Sequence, residues 1–333
     1  MEAHPKAMQL RQHWAHCSAE GGGFCLNQFE LCVQLCGSEK VAEAMSASTG
    51  LRSILVTGGN SGIGLALCKI LVVEQSCFVY LGSRSAEKGA AAVASIIDAF
   101  PTAAGKIEVL QIDVSSDASC VAAAAELQSK SALLYAVVNN AGVGLAHGNV
   151  GGVEAILNTN FHGPKRVADA LVALVDPKEG RIVNVSSGAA SMWLKTQDAA
   201  TKALFSNPDL TLEDLDAAVL SRVVAGNVGM GGGYGLSKAA LSALTLIQAR
   251  KWPHLKVVSL SPGFIDTPMT KGFGAKLTPE QGCVSSLKCL FQPVTSGFYY
   301  GSDGLRSPLT MTRDPGTPEY QGEAEPNPSV YNK

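Results

Sequence analysis

Tyr234 and Lys238 stand four residues apart in Tyr-Gly-Leu-Ser-Lys, a spacing that puts both on one face of a helix. A phenol, with an unperturbed pKa of about 10, is a poor proton donor at neutral pH unless its phenolate is stabilised, and a neighbouring ammonium supplies that field. Upstream, Thr57-Gly58-Gly59-Asn60-Ser61-Gly62-Ile63-Gly64 joins an apolar run to a helical pattern. Gly58 permits a tight turn, Gly62 lets the backbone approach an anion, and Gly64 allows close packing of the helix, whose N-terminus attracts negative charge. Such a loop seats a pyrophosphate, with Ser61 and Ile63 between its glycines. A proton donor and a pyrophosphate seat on one chain point to nicotinamide-dependent chemistry between a carbonyl and an alcohol.

The choice of dinucleotide is expected at the end of the second strand. A carboxylate there would bind the ribose 2′-hydroxyl and favour NAD. Gly82-Ser83-Arg84 has none before Glu87. The Arg84 guanidinium suits a 2′-phosphate, and Ser83 is a second donor to it, so NADP(H) is the expected cofactor.

These residues must be held by regular elements. Short apolar runs begin at Ser53, Cys77, Ile107, Ala136, Arg181 and Lys256, and longer helical patterns separate them. The helices are expected over 63–73, 86–99, 116–130 and about 152–175, with another from Tyr234. Near-continuous apolar strands alternating with helices predict a parallel sheet covered on both faces, a Rossmann-type doubly wound α/β fold. No repeat interrupts it, which predicts one domain over 45–310.

The motifs together resemble the short-chain dehydrogenase/reductase family, from about Ser53 to Tyr300. Asn139-Asn140-Ala141-Gly142 matches the segment after its fourth strand. Asp113, followed by Val114, matches the residue at the adenine ring. Ser261-Pro-Gly-Phe-Ile-Asp-Thr267 resembles the loop that holds the nicotinamide carboxamide, which implicates Pro262, Gly263, Ile265 and Thr267. The resemblance implies a catalytic set of Asn160, Ser187, Tyr234 and Lys238, with Ser186 as the other claimant to the serine role. Tyr234 would donate the proton, Lys238 would stabilise the phenolate and reach the nicotinamide ribose, and Ser187 would hold the substrate oxygen. Asn160 would hold a water linking Lys238 to solvent.

Ser187 and Tyr234 are 47 positions apart, a wider gap than most of that family keeps. The intervening stretch, about 190–230, reads as two helices. One runs from Thr196 to Phe205; the other starts at Thr211 and turns Leu212, Leu215, Val219 and Val223 to one side. Such an insertion resembles the monomeric carbonyl reductase branch, where it covers a surface used elsewhere for tetramers.

Composition bounds the rest. With 333 residues, 46% of them apolar, the chain can build a large core. A formal charge of −2 with no basic cluster argues against nucleic-acid binding, and no apolar run is long enough to span a membrane. Nine scattered cysteines, with no zinc spacing among Cys25, Cys32 and Cys36, read as reduced thiols of a cytoplasmic protein. Residues 1–44 read as a poorly ordered extension, with Met45 as an alternative start, and residues 311–333 as a C-terminal tail. The expected activity is NADPH-dependent reduction of a small-molecule carbonyl by a monomer. An NADP-dependent dehydrogenase of a secondary alcohol or steroid, and a non-catalytic dinucleotide sensor, are the alternatives.

Overall fold

Strand β1 (Ser53–Thr57) buries Ile54 and Val56 on one face of the sheet and Leu55 on the other, as its unbroken apolar sequence requires. Strands β2 (Phe78–Ser83), β3 (Ile107–Gln111), β4 (Leu134–Asn139), β5 (Arg181–Val185), β6 (Lys256–Leu260) and β7 (Tyr299–Tyr300) complete it. Their order is β3-β2-β1-β4-β5-β6-β7, and every pair is parallel. The computed structural model describes residues 50–144, 151–229 and 231–332. Those after Gly50 form one unit, Leu51–Lys333, and the expectation for residues 1–44 lies outside the described residues.

Helices α1 (Gly62–Val73) and α2 (Ala86–Ala99) cover one face, over a core that includes Leu67, Leu71, Val79, Leu81 and Val258. Helix α3 (Asp117–Ser129) covers the other, over Leu110, Leu127, Val137 and Ile182. The helix expected over 152–175 is present from Gly152 to Leu174 but changes its winding on the way. It divides into α4 (Gly152–Leu157), a π-helical turn (Asn158–His162) and α5 (Gly163–Leu171). A π-turn adds a residue to the helical repeat and re-aims what it carries, here Asn160.

Between Ser187 and Tyr234 lie three helices rather than two. The unforeseen one, α6 (Gly188–Lys195), starts at Ser187 itself, whose hydroxyl caps the helix by accepting from Ala189 N (3.1 Å). Helix α7 (Ala199–Phe205) is capped by Asp198, and α8 (Leu212–Val224) by Thr211. Phe205, Leu210, Leu215 and Val219 pack with Leu236, Ala240 and Leu244 of the long helix α9 (Tyr234–Lys251). The chain closes with α10 (Val284–Phe291), β7 and a C-terminal segment ending in α11 (Pro328–Tyr331). That segment is tied down by the buried Arg313, which pairs with Asp303 and donates to Thr317 O (2.9 Å).

Candidate active site

The strand order reverses between β1 and β4, so their carboxyl ends diverge and leave a crevice. There a cavity of about 470 Å³ is lined by Gly58, Ser61, Gly62, Ile63 and Gly64 from the first loop and by Asn140, Ala141 and Gly142 from the fourth. The two loops are stapled together. Thr57 Oγ1 accepts from the backbone N–H of Asn140 (3.0 Å) and of Ala141 (3.1 Å), and Asn140 Nδ2 donates to Thr57 O (2.9 Å). Gly64 is required for a different reason from the expected helix–sheet packing. A Cβ there would run into the Gly58 carbonyl oxygen and the Asn140 side-chain amide.

Arg84 lines the cavity, as does Ser83. The Ser83 hydroxyl is buried and donates to Ser85 O (2.8 Å), so its proton is already used in the turn. Ser85 and Lys88 also line the cavity and were not foreseen. Ser85 caps α2 by accepting from Lys88 N (3.2 Å), which sets the Lys88 side chain one turn into the helix beside Arg84. The signal was a capping serine three residues before a lysine. Asp113 and Val114 line the same wall. Burial works against the charged Asp113 carboxylate, yet hydrogen bonds from Ser115 and the positive charges of Arg84 and Arg166 hold its pKa below the ordinary value.

Tyr234 and Lys238 line the same cavity, and both are buried. Lys238 Nζ lies 5.8 Å from the centre of the Tyr234 ring and donates to Val185 O (2.7 Å). Burial raises the Tyr234 pKa, opposed by the neighbouring Ser187 hydroxyl, and burial lowers that of Lys238 to about 8. Withdrawal from water thus leaves the phenol above its ordinary value, opposite in direction to the depression expected from the neighbouring ammonium. Ser186 lines the cavity and Ser187 does not, but it is the Ser187 hydroxyl that lies beside the Tyr234 phenol. The Ser186 hydroxyl donates to Lys238 O (2.9 Å) and accepts from Ser242 Oγ (2.8 Å) inside the fold. Close approach of α6 and α9 brings Ser187 to Tyr234. Gly235 makes it possible, since a Cβ there would lie 2.9 Å from Trp193 Cβ and 3.1 Å from Ala189 O.

Asn160 is fully buried, and its amide is occupied by protein. It accepts from Val143 N (2.8 Å) and donates to Val143 O (2.8 Å) and Ser237 Oγ (3.0 Å). One amide proton and the amide oxygen thus clamp the loop after β4 and the other amide proton ties it to α9, which leaves an oxygen lone pair as the group's remaining polar capacity. A Cβ on Gly142 would lie 3.3 Å from Asn160 Oδ1 and 3.4 Å from Lys238 Nζ, so the two groups flank the same backbone. Pro262 and Thr267 line the cavity, joined by the unforeseen Pro268 and Met269. Gly263 and Ile265 do not. Gly263 N donates to Ser261 Oγ (3.3 Å), and the Ile265 side chain is buried against Gly282. His162 is half-buried against the Phe161 ring (4.5 Å) and does not line the cavity.

The chain is similar to several known proteins. Residues 52–204 match the family model described as short chain dehydrogenase. Short-chain dehydrogenase/reductase 1 of Saponaria officinalis is 30% identical, over 78% of this chain and 97% of that protein. Human carbonyl reductase [NADPH] 1 is also 30% identical, over 71% of this chain and 89% of that protein. Among solved structures, salutaridine reductase from Papaver somniferum superposes with a TM-score of 0.65 at 27% identity, covering 75% of this chain and 99% of that one. The chain belongs to the short-chain dehydrogenase/reductase family and is an oxidoreductase.

Proposed function

We propose that this protein is an NADPH-dependent reductase of a small-molecule carbonyl, an aldehyde, ketone or quinone, with Tyr234 as the proton donor. One observation carries the reading. A single cavity is lined both by two cationic side chains that follow β2, Arg84 and Lys88, and by the Tyr234–Lys238 pair of α9. The donor set suits NADP(H): two cations near a helix N-terminus for a 2′-phosphate, and a glycine loop at Gly58–Gly64, with Gly58 and Gly62 at positive φ, opening helix α1 for a pyrophosphate. Bound there, the nicotinamide supplies hydride. The name of the human relative, carbonyl reductase [NADPH], supports the same cofactor and substrate class.

The chain's own residues do the remaining work. Ser187, held at the N-terminus of α6, orients the carbonyl oxygen toward Tyr234. Tyr234 gives its proton to the oxygen as negative charge grows there, and general acid catalysis of this kind is worth roughly 10² to 10⁴ in rate. Lys238 keeps its ammonium against Val185 O and stabilises the phenolate left behind. Asn160 fixes the β4 loop over the site, and the Tyr234 ring packs on Gly144, where a Cβ would lie 2.6 Å from Cδ2.

The test is NADPH oxidation with menadione, a panel of aldehydes and a panel of cyclic ketones, for the wild type and Tyr234→Phe. Turnover is expected for the wild type with at least one class and is abolished in Tyr234→Phe, which still binds NADPH. Turnover retained by the variant would refute the proton-donor role. Binding without turnover of any carbonyl would favour a sensor, and oxidation of secondary alcohols alone would favour a dehydrogenase.

A further inference from the structure

Tyr299 is a buried phenol that the proposed reaction does not use. It lies on β7 opposite Ser259, and its hydroxyl sits beside those of Ser261 and Ser191. All three residues are buried. Burial pushes the Tyr299 phenol up to about 12, with the nearby Ser261 and Ser191 hydroxyls and the Arg313 charge pulling the other way and Tyr234 adding to the rise. Tyr299 therefore stays a protonated hydrogen-bonding group across the working pH range.

Ser261 is the centre of the cluster. Its Oγ accepts from Gly188 N (3.0 Å) and from Gly263 N (3.3 Å). Gly188 follows Ser187 and opens α6; Gly263 belongs to the segment that carries Pro262 and Thr267 to the cofactor cavity. Two accepted bonds fill the lone pairs of a hydroxyl, so Ser261 has only its proton to give, and the Tyr299 oxygen is beside it. Ser191 lies four residues beyond Ser187 on α6, one turn along the same face. Helix α6 is thus tied at its first residue, Gly188, to the same oxygen that holds Gly263, directly beside the Ser187 side chain.

We propose that Ser261, backed by the buried Tyr299, is a positioning residue that locks the Ser187 turn to the Pro262–Thr267 segment, so that the group holding the substrate oxygen and the loop facing the cofactor keep one fixed relation. The inference rests on the carbonyl reductase reading for its catalytic consequence, but the coupling itself is readable with cofactor alone. Amide hydrogen exchange is measured with and without NADPH on wild type, Ser261→Ala and Tyr299→Phe, the last keeping the ring volume and hence the fold. In the wild type NADPH is expected to protect both 187–191 and 262–267. In the variants protection persists at 262–267 and is lost at 187–191. Equal protection of both segments in Ser261→Ala and Tyr299→Phe, or no protection of 187–191 in the wild type, would overturn the proposal. With a carbonyl that the wild type reduces, kcat falls by about 10- to 100-fold in Ser261→Ala while KM for NADPH is unchanged, the signature of misplacement rather than lost binding. A wild type that binds NADPH and reduces nothing counts against the proposed function, and the exchange measurement still decides the coupling.

Discussion

The electrostatics of single residues set the clearest expectations. Lys238 has a folded pKa of about 8, depressed from 10.5 by burial, so it is charged below that pH and neutral above. The proposed reduction needs both the ammonium and the Tyr234 proton, and Tyr234 is shifted upward. The value of kcat/KM for NADPH, which reports the free enzyme, is therefore expected to be level at low and neutral pH and to fall as pH rises through about 8. A profile flat to pH 9.5 would contradict this role for Lys238. After β2, Arg84→Asp removes a charged hydrogen bond worth roughly 1.5–3 kcal/mol, or about 10- to 100-fold. That loss should appear in the NADPH KM and not in the NADH KM. Lys88→Ala should act in the same direction, and an equal effect on both cofactors would undo the phosphate assignment. Arg84 was legible because a guanidinium after the second strand has a chemical meaning wherever it occurs. Lys88 and Ser85 were not, because their place depends on how the chain turns into α2. The spent proton of Ser83 was equally hidden, since a sequence shows hydroxyls and not what they bond.

Between elements, the contact that matters most was invisible among the unspecified positions of the tyrosine–lysine motif. Gly235 lets α6 and α9 approach closely enough to bring Ser187 beside Tyr234. Alanine is the better helix former by about 0.8–1 kcal/mol, so helix propensity alone would favour Gly235→Ala. Its methyl group nevertheless meets the Ala189 carbonyl and the Trp193 stem, and overpacking costs about 1–3 kcal/mol. We expect a modest change in Tm with a kcat lower by about 10- to 100-fold, and unchanged kcat would show that the spacing is not critical. In the insertion, Leu215→Ala should cost about 2–5 kcal/mol in denaturant unfolding, because Leu215 is fully buried against α9. The helices α7 and α8 were legible from their caps and apolar stripe. The π-turn was not, because no residue type specifies it. Helix α6 escaped notice because its capping serine had already been read as a catalytic one.

For the whole molecule, the sheet followed directly from the strand runs, since buried parallel strands have little freedom in composition. We propose that the protein is a monomer, because α7 and α8 bury the outer side of α9 that would otherwise seek a partner. Light scattering should return a monomeric mass, and a tetramer would refute the argument, a real test given that Leu220 and Val224 stay exposed on α8. The grip of Ser261, backed by Tyr299, on α6 has a consequence for synthesis. A nascent chain that has just completed α9 already contains Asn160, Ser187, Tyr234 and Lys238, yet neither β6 nor β7 exists to hold Ser187 in place. At about 5–20 residues per second, the ribosome needs roughly 2.5 to 10 s more to reach Tyr300. Through that interval the proton-donor residues are present without their alignment, so competence for cofactor chemistry arrives as a late, single event at the C-terminal strand.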